Sequence, residues 1–376
     1  MFCSSRREGK KWKELKSEFS KKYLTSTMNQ RIVLVKYATD KVTPEHFRIE
    51  DIPIPQEQEL EEGEVVVEVH AISVDPYMRA RFREGLKGYL VGPFEVNQPL
   101  NGGGLGKIIA SKDSNLHVGD YVAGHMSWQK YVKAKASTLQ KAPPSDDKSL
   151  YYKFLPGLNI TPLSAYLPIR QLWPRETVPP GSTAYVSGAA GGVGMVAGQI
   201  LKNVYGCRVI GSAGSDAKVA FLKEKLGFDE AFNYKSDPPA VALPRLAPNG
   251  IHLFFDNVGG TTLDAALGSM VKGGRILACG SIEEYDRASD QGTNMKNLFQ
   301  IVVKTLTVQG FLLNQFQSHF EEGTKELMAF AKEGKLKTEE TFFRGLESAP
   351  TAFMGLFQGA NTGKTLVLLQ NESGNE

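Results

Sequence analysis

Ala184-Tyr-Val-Ser-Gly-Ala-Ala-Gly-Gly-Val-Gly-Met195 is the stretch whose reading decides the fold. A β-branched and aromatic strand runs into a tight turn, and a helix opens at Gly192. Gly188, Gly191 and Gly194 stand three apart, a G-x-x-G-x-x-G variant of the dinucleotide fingerprint. Glycines there let the backbone approach a pyrophosphate, and the helix N-terminus offers free N–H groups and partial positive charge. The strand before and the helix after supply the context that a bare glycine triplet lacks.

Downstream the alternation continues: Arg208-Val-Ile210, a helix from Asp216, Leu253-Phe-Phe255, a helix from Thr261, then Arg275-Ile-Leu-Ala278. This is the rhythm of a doubly wound parallel sheet, an α/β Rossmann arrangement. If the cofactor were NAD, the second strand would end in Asp or Glu about 20 residues after the glycines. Val209-Ile-Gly-Ser-Ala-Gly-Ser215 has no acid. Lys218, just beyond, is a point charge able to pair with a 2′-phosphate, so NADPH/NADP⁺ is the expected cofactor. The plain alternative for Lys218 is a solvated helix lysine, and Asp216 reads as a helix N-cap. Phe254-Phe-Asp-Asn-Val-Gly-Gly260 and Ala278-Cys-Gly-Ser-Ile282 place polar groups and glycines at strand carboxyl ends, the edge where such sheets bind ligands.

Upstream the pattern differs. Arg31-Ile-Val-Leu-Val35, Phe47–Ile52, Glu64–His70, Gly106–Ala110 and Asp120–Gly124 are short β segments divided by Gly and Pro, predicting a β-barrel-like or sandwich domain. From about Glu340 to Gln370 the chain is expected to return to β, rejoining that first domain. The expected organisation is therefore a basic extension over 1–28, a β-rich domain over 29–155 completed by 340–376, and a nucleotide-binding domain over 156–339. A length of 376 residues suits two such domains.

Lys and Arg number 44 against 41 Asp and Glu, a net charge of +3, which disfavours a nucleic-acid polycation. Much of the excess lies in residues 1–28, where Arg6, Arg7, Lys10, Lys11, Lys13, Lys16, Lys21 and Lys22 face Glu8, Glu14 and Glu18. Trp12, Leu15, Phe19 and Tyr23 fall at helical spacing there. A transit segment, a membrane-surface helix and a plain extension before Met28 are the open readings, and the glutamates weigh against the first. No apolar run approaches the roughly 18–20 residues of a membrane span, so no stable insertion is expected. Three cysteines, Cys3, Cys207 and Cys279, make no disulfide framework and point to a reducing compartment, here expected to be the cytoplasm, with organelle targeting by the extension as the alternative.

Taken in order, Asp75-Pro-Tyr-Met-Arg79, Gly188 to Gly194, Gly211 to Val219, Phe232-Asn-Tyr-Lys235, Asp256-Asn-Val-Gly-Gly260, Cys279-Gly-Ser-Ile282 and Asn361-Thr-Gly-Lys364 are recognisable. Across about 28–369 the chain resembles the zinc-independent medium-chain reductases of the prostaglandin reductase and alkenal double-bond reductase group, and the bacterial curcumin-reductase-like branch. The resemblance implies a GroES-like catalytic domain, a Rossmann domain and NADPH between them, commonly in a homodimer. It implies that the cofactor lies along Gly188, Gly191, Gly192, Val193 and Gly194, with Lys218 and Tyr234 at the 2′-phosphate end. Asn257, Cys279, Tyr285, Phe311, Leu312, Leu313 and Asn361 would line the rest. Two departures concern the substrate pocket: Gly102-Gly-Gly104 where plant relatives carry Gly-Tyr-Gly, and Asn159-Ile-Thr-Pro-Leu-Ser-Ala-Tyr166 where relatives often read G-M-P-G-x-T-A-Y.

No Cys lies between Cys3 and Cys207, so the thiolate expected for a catalytic zinc is missing and no metal is expected. The six histidines are scattered and read as structural or exposed. Reduction of an activated alkene asks only for a hydride from the cofactor and a donor for the developing enolate oxygen. Tyr285 is the leading candidate for that donor and Tyr77 the second, each against the plain reading of a packing aromatic. The polar stretch 283–297 is a candidate lid or a solvated loop. The expected activity is an NADPH-dependent 2-alkenal/enone reductase acting on a small-molecule enal or enone. A quinone oxidoreductase and a non-catalytic NADPH-binding sensor or structural protein are the alternatives.

Overall fold

The structure, a computed structural model, describes residues 28–85, 91–145, 147, 149–287 and 291–369. The basic extension, apart from Met28, and the centre of the 283–297 stretch lie outside the described residues. The first half is β-rich. Strands β1 (Asn29–Leu34) and β2 (Phe47–Ile52) form an antiparallel hairpin. Then follow β3 (Glu64–Ser73), β4 (Asn101–Ser111), β5 (Tyr121–Ser127), β6 (Tyr131–Lys135) and β7 (Leu139–Lys141). The second half carries β8 (Thr183–Val186), β9 (Arg208–Ala213), β10 (Glu230–Asn233), β11 (Ile251–Asp256), β12 (Met270–Ala278) and β13 (Thr307–Gly310). Near the C-terminus come β14 (Glu340–Arg344) and β15 (Lys364–Leu368).

The second-half sheet runs β10-β9-β8-β11-β12-β13, all parallel. Counted from β8 this is the 3-2-1-4-5-6 order of a Rossmann fold, with its switch point between β8 and β11. Both faces are covered, and the strands show it residue by residue. Ala184 and Val186 of β8 and Leu253 and Phe255 of β11 enter one core with Met195, Val196 and Ile200 of the helix Gly192–Asn203. Tyr185 and Phe254 point the other way, with Ile210, Phe232 and Ile276. Tyr185 stacks on Phe254 with ring centroids 4.7 Å apart, and its hydroxyl shares a 2.8 Å hydrogen bond with the Ser212 hydroxyl, so the buried phenol keeps a partner.

The other large sheet runs β14-β15-β3-β4-β5-β7, with β6 on β3. β15 pairs antiparallel with β3 and parallel with β14, so the C-terminal strands belong to this sheet. The expected all-β return from Glu340 is corrected in one respect: the helix Ala349–Leu356 separates β14 from β15. Pro350 stands in its first turn, where its missing N–H costs nothing, and Ala352, Phe353 and Leu356 enter the β-domain core. A second correction concerns the helix Asp216–Ala220. Its N-cap is Ser215, whose hydroxyl accepts from the Lys218 N–H at 3.4 Å, while Asp216 is its first residue and accepts from the Asn233 side chain at 2.8 Å.

Candidate functional site

The carboxyl edge of the parallel sheet collects most of the residues that the sequence singles out. β8 turns at Gly188, whose φ of +57° is left-handed backbone that suits glycine. Gly191 caps the helix Gly192–Asn203. A Cβ on Gly194 would lie 2.4 Å from the Gly188 carbonyl oxygen and 2.8 Å from the Ala189 Cα, so this residue's bareness lets helix and turn meet. A Cβ on Gly191 would meet only the Gly188 oxygen, at 3.3 Å, leaving its other side clear for a ligand. Gly192 backs onto Thr161, and Val193 packs against the core.

Beside this turn, the Asn257 amide donates to the Ser187 carbonyl at 2.7 Å. Asp256, buried at the end of β11, accepts from the Ser187 hydroxyl at 2.7 Å and from the Val258 and Gly259 N–H groups at 3.0 and 3.1 Å. Burial raises the Asp256 carboxyl above its ordinary range, against those bonds. Cys279 follows β12, its N–H on the Asp256 carbonyl at 2.8 Å. Burial pushes its thiol up to about 12, so it is a neutral, unreactive wall. The Tyr285 hydroxyl accepts from the Ser281 N–H at 3.3 Å, and a Cβ on Gly280 would lie 3.1 Å from it. Burial raises the Tyr285 phenol above its ordinary value, which keeps the proton on at neutral pH.

At the ends of β9 and β10, the Tyr234 ring lies against Gly214, where a Cβ would come within 3.0 Å of the Tyr234 hydroxyl. The Lys218 ammonium donates to the Gly359 carbonyl at 2.9 Å. Burial, then the charge of Lys235, lower its pKa. At the end of β13, Phe311 contacts Phe255 and Phe316, the Leu312 N–H donates to the Gln315 side chain at 3.2 Å, and Leu313 is buried. Asn361 donates to the Gly363 carbonyl at 2.8 Å, and Gly363 bridges Gly191 through its own N–H on the Ala190 carbonyl at 2.7 Å. Only glycine serves at 363, with φ +72° and the Glu339 carbonyl oxygen 1.8 Å from where a Cβ would stand.

Tyr77 belongs to the β-rich domain, in the helical turn Pro76–Phe82, against that domain's core. Two arginines from this part of the chain reach across to the segment bearing Tyr285. Arg79, with no exposed surface, gives its Nε to Asp286 at 2.8 Å and its Nη2 to the Asp40 carbonyl. Arg83 gives its Nη2 to the Tyr285 and Arg287 carbonyls at 3.0 and 2.5 Å. Composition-level reading passes over both arginines, although Arg79 closes the Asp75–Arg79 motif, because their partners lie some two hundred positions along the chain. The same motif starts at Asp75, which pairs with the buried Lys364 of β15 and accepts from Ser73. Between these pairs, Glu283 takes the Thr261 N–H at 3.1 Å at the start of the helix Gly260–Ser269, and Arg287 pairs with Glu283 and Glu284. The described ends of the 283–297 stretch are thus tied down. Gly103 meets the Leu158 carbonyl oxygen at 2.8 Å from a would-be Cβ, so the 157–158 backbone fills the space beside the glycine run. Among the described residues, no group of three or more His, Cys, Asp or Glu is placed to hold a metal ion. No helix among them is long and apolar enough to cross a membrane.

A Rossmann sheet whose carboxyl edge is joined by hydrogen bonds to a β-rich domain defines the class of two-domain dinucleotide-binding oxidoreductases. Comparison with known proteins narrows this. Residues 30–142 match the family model described as the N-terminal domain of oxidoreductase, and 192–332 match that described as zinc-binding dehydrogenase. The chain is 36% identical over 346 residues to the 2-alkenal reductase (NADP(+)-dependent) of Nicotiana tabacum, covering 92% of this chain and 98% of that one. It is 36% identical over 330 residues to prostaglandin reductase 1 of Mus musculus, covering 86% and 94%. The solved structure of CurA from Vibrio vulnificus in complex with NADPH superposes with a TM-score of 0.82 at 30% identity, over 91% of this chain and 99% of that one. The chain therefore belongs to the zinc-independent group of the medium-chain dehydrogenase/reductase family.

Proposed function

We propose that this protein is an NADPH-dependent 2-alkenal/enone reductase that delivers hydride to the β-carbon of an α,β-unsaturated aldehyde or ketone. The observation that carries the reading is the neutral, half-buried Tyr285 hydroxyl at the carboxyl edge of the sheet, on a segment that Arg79 and Arg83 hold from the opposite domain. When bound, NADPH supplies the hydride. The residues present fit it: a bare glycine turn at a helix N-terminus, no acid over 211–215, and a half-buried Lys218 with only a carbonyl partner among the described residues. Gly188 to Gly194 would hold the pyrophosphate, and Lys218 and Tyr234 the 2′-phosphate. Asn257, Cys279, Phe311, Leu312, Leu313 and Asn361 would line the remainder.

In this reading Tyr285 donates a hydrogen bond to the carbonyl oxygen of the substrate, where negative charge grows as the β-carbon is reduced. One such donor is worth about 2–4 kcal/mol. Tyr77 closes the opposite wall of the slot. The catalytic domain comprises 29–155 with 340–376, for which the β3–β15 pairing is the support, and 156–339 is the cofactor domain. The protein would act as a homodimer. β13 is a sheet edge paired on one side only, and exposed apolar side chains at Phe299, Val302 and Val308 lie on or near it, a surface suited to a second copy. NADPH consumption with a medium-chain 2-alkenal, compared with a simple quinone, tests the substrate class. Turnover of the alkenal to the saturated aldehyde is expected, and turnover of the quinone alone would overturn it.

A further inference from the structure

A cleft lies beside the glycine-turn edge rather than at it. It has a volume of about 1010 Å³ and opens between the helix Ser149–Phe154, the turn over 215–226 and the segment 328–339. None of Gly188 to Gly194, Asn257, Cys279 or Tyr285 lines it. Its floor is apolar, made by Leu150, Phe154, Phe221, Leu226, Met328 and Leu336. Around it stand Lys153, Lys218, Lys225, Lys332 and Lys337, with Glu339 as the acid in the lining.

Lys133, Lys141, Lys202 and Lys325 each hold a carboxylate. Among the described residues, none of the five lining lysines has a carboxylate within ion-pair distance. Lys218 and Lys337 donate to the Gly359 and Lys225 carbonyls instead. Glu340, whose carboxyl feels Lys153, offsets part of the charge. An excess of cations over an apolar floor is complementary to a ligand with the opposite sign and a greasy body. The chain's own extension over 1–28 is basic and has the wrong sign to fill it.

We propose that this cleft is a second ligand site, for an amphiphile with an anionic head and an apolar tail. The head sits among the lysine ammonium groups and the tail lies on Phe154, Phe221 and Met328. Lys218 stands in the wall shared with the proposed cofactor site. A head group bound there competes with a 2′-phosphate for the same cation, so the amphiphile and NADPH weaken each other by one and the same factor. NADH lacks that phosphate and escapes the coupling. The coupling rests on the NADPH reading, whereas the site does not.

The test is calorimetric titration of the full-length, cofactor-free protein with decanoate below its micellar concentration, with decyl phosphate as the phosphate-headed arm and decanol as the neutral control. Saturable binding of either anion is expected, with decanol weaker by about tenfold or more. Tighter decanoate indicates a fatty-acid-like ligand, and tighter decyl phosphate a phospholipid-like one. The triple variant Lys225→Gln, Lys332→Gln, Lys337→Gln should lose about tenfold in anion affinity while keeping its circular dichroism and, to within about twofold, its NADPH affinity. Saturating decanoate should raise the Kd of NADPH several-fold and leave that of NADH unchanged. Equal binding of decanol and decanoate, or unchanged anion affinity in the triple variant, would overturn the site. Decanoate binding that leaves NADPH untouched, or shifts NADH equally, would overturn the sharing of Lys218.

Discussion

Replacing Asp286 with alanine removes the carboxylate that hydrogen-bonds the Arg79 guanidinium, and the consequence follows from the burial of Arg79. Arg79 has no exposed surface and its Nη1 has no partner among the described residues, so it depends on Asp286 at 2.8 Å and on the Asp40 carbonyl. Breaking a buried pair by deleting one member costs about 3–5 kcal/mol, because a charge is left stranded. Asp286 keeps 24% of its side-chain surface, so water can reach part of the gap and the expected loss is nearer about 2–3 kcal/mol. For a chain of 376 residues that corresponds to a fall in melting temperature of roughly 3–4 °C. Asp286 also anchors the residue next to Tyr285, so the hydroxyl loses its placement. A misplacement of about 1 Å costs on the order of 10²-fold in rate. Thermal denaturation followed by circular dichroism, and kcat/KM with a medium-chain 2-alkenal, read the two effects separately. The double variant Arg79→Met, Asp286→Leu separates stability from placement: it should recover most of the stability, since the stranded charge is gone, without recovering the rate. Wild-type stability and kcat/KM in Asp286→Ala would refute the reasoning. So would a double variant that recovers the rate along with the stability.

Lys218→Ala should weaken NADPH by about 10–100-fold, the worth of one charge-assisted hydrogen bond, and leave NADH unchanged; fluorescence titration with both coenzymes checks it, and equal losses would show that Lys218 does not meet the phosphate. Tyr285→Phe should lower kcat by about 10²–10³-fold at constant NADPH affinity. Because burial raises the Tyr285 phenol, its proton stays on through neutrality, so the wild-type kcat–pH profile should show no loss from this group between about pH 6 and 9; a decline centred near neutrality and absent from the phenylalanine variant would contradict that. Gly194→Ala should destabilise the protein by about 1–3 kcal/mol, because the new Cβ meets backbone on both sides, whereas Gly92→Ala, with nothing within 4 Å, should be near neutral in the same melting experiment.

The nucleotide-binding half was legible because its signals are local. β8 and β11 alternate their apolar residues between two cores, and the glycine spacing marks the turn after β8. What escaped reading lacks such signals. β13 is four exposed residues with no apolar face. The helix Pro239–Leu246 contains two prolines, one tolerated in its first turn and one inside it. The helix Ala349–Leu356 was hidden in a stretch that reads as β, although Pro350 is a start signal of the kind that also opens Thr161–Leu172 at Pro162. At Ser215-Asp216 two adjacent residues both suit a cap, and the hydrogen bond to Lys218 N–H decides for the serine. The candidate site divides the same way. Gly188 to Gly194, Asn257 and Cys279 follow strands whose ends can be read, and they gather at one edge. The pairs Arg79–Asp286 and Asp75–Lys364 join residues 207 and 289 positions apart, and no periodicity encodes a partner at that distance.

Those two pairs also explain how the Tyr285 segment is held in register with the β-rich domain. Lys364 and Asp75 pair inside that domain, where β15 enters its sheet, and Arg79 and Asp286 pair across to the segment bearing Tyr285. Such contacts add little net stability, since desolvation offsets most of the attraction. They are intolerant of misregister, however: a shift of β15 against the 75–83 stretch, or of that stretch against the Tyr285 segment, would leave a cation unpaired in an apolar setting. Apolar packing alone would tolerate sliding; the buried arginine and the buried lysine resist it. Gly363 on Ala190 adds a backbone hydrogen bond between the same two halves, immediately beside the glycine turn. The 75–83 stretch thus connects β15, through Asp75, with the Tyr285 segment, through Arg79 and Arg83, and carries Tyr77 between them. Tyr77 and Tyr285 come from different domains and distant parts of the chain, yet the segments that carry them are joined directly by charged side chains on one short stretch.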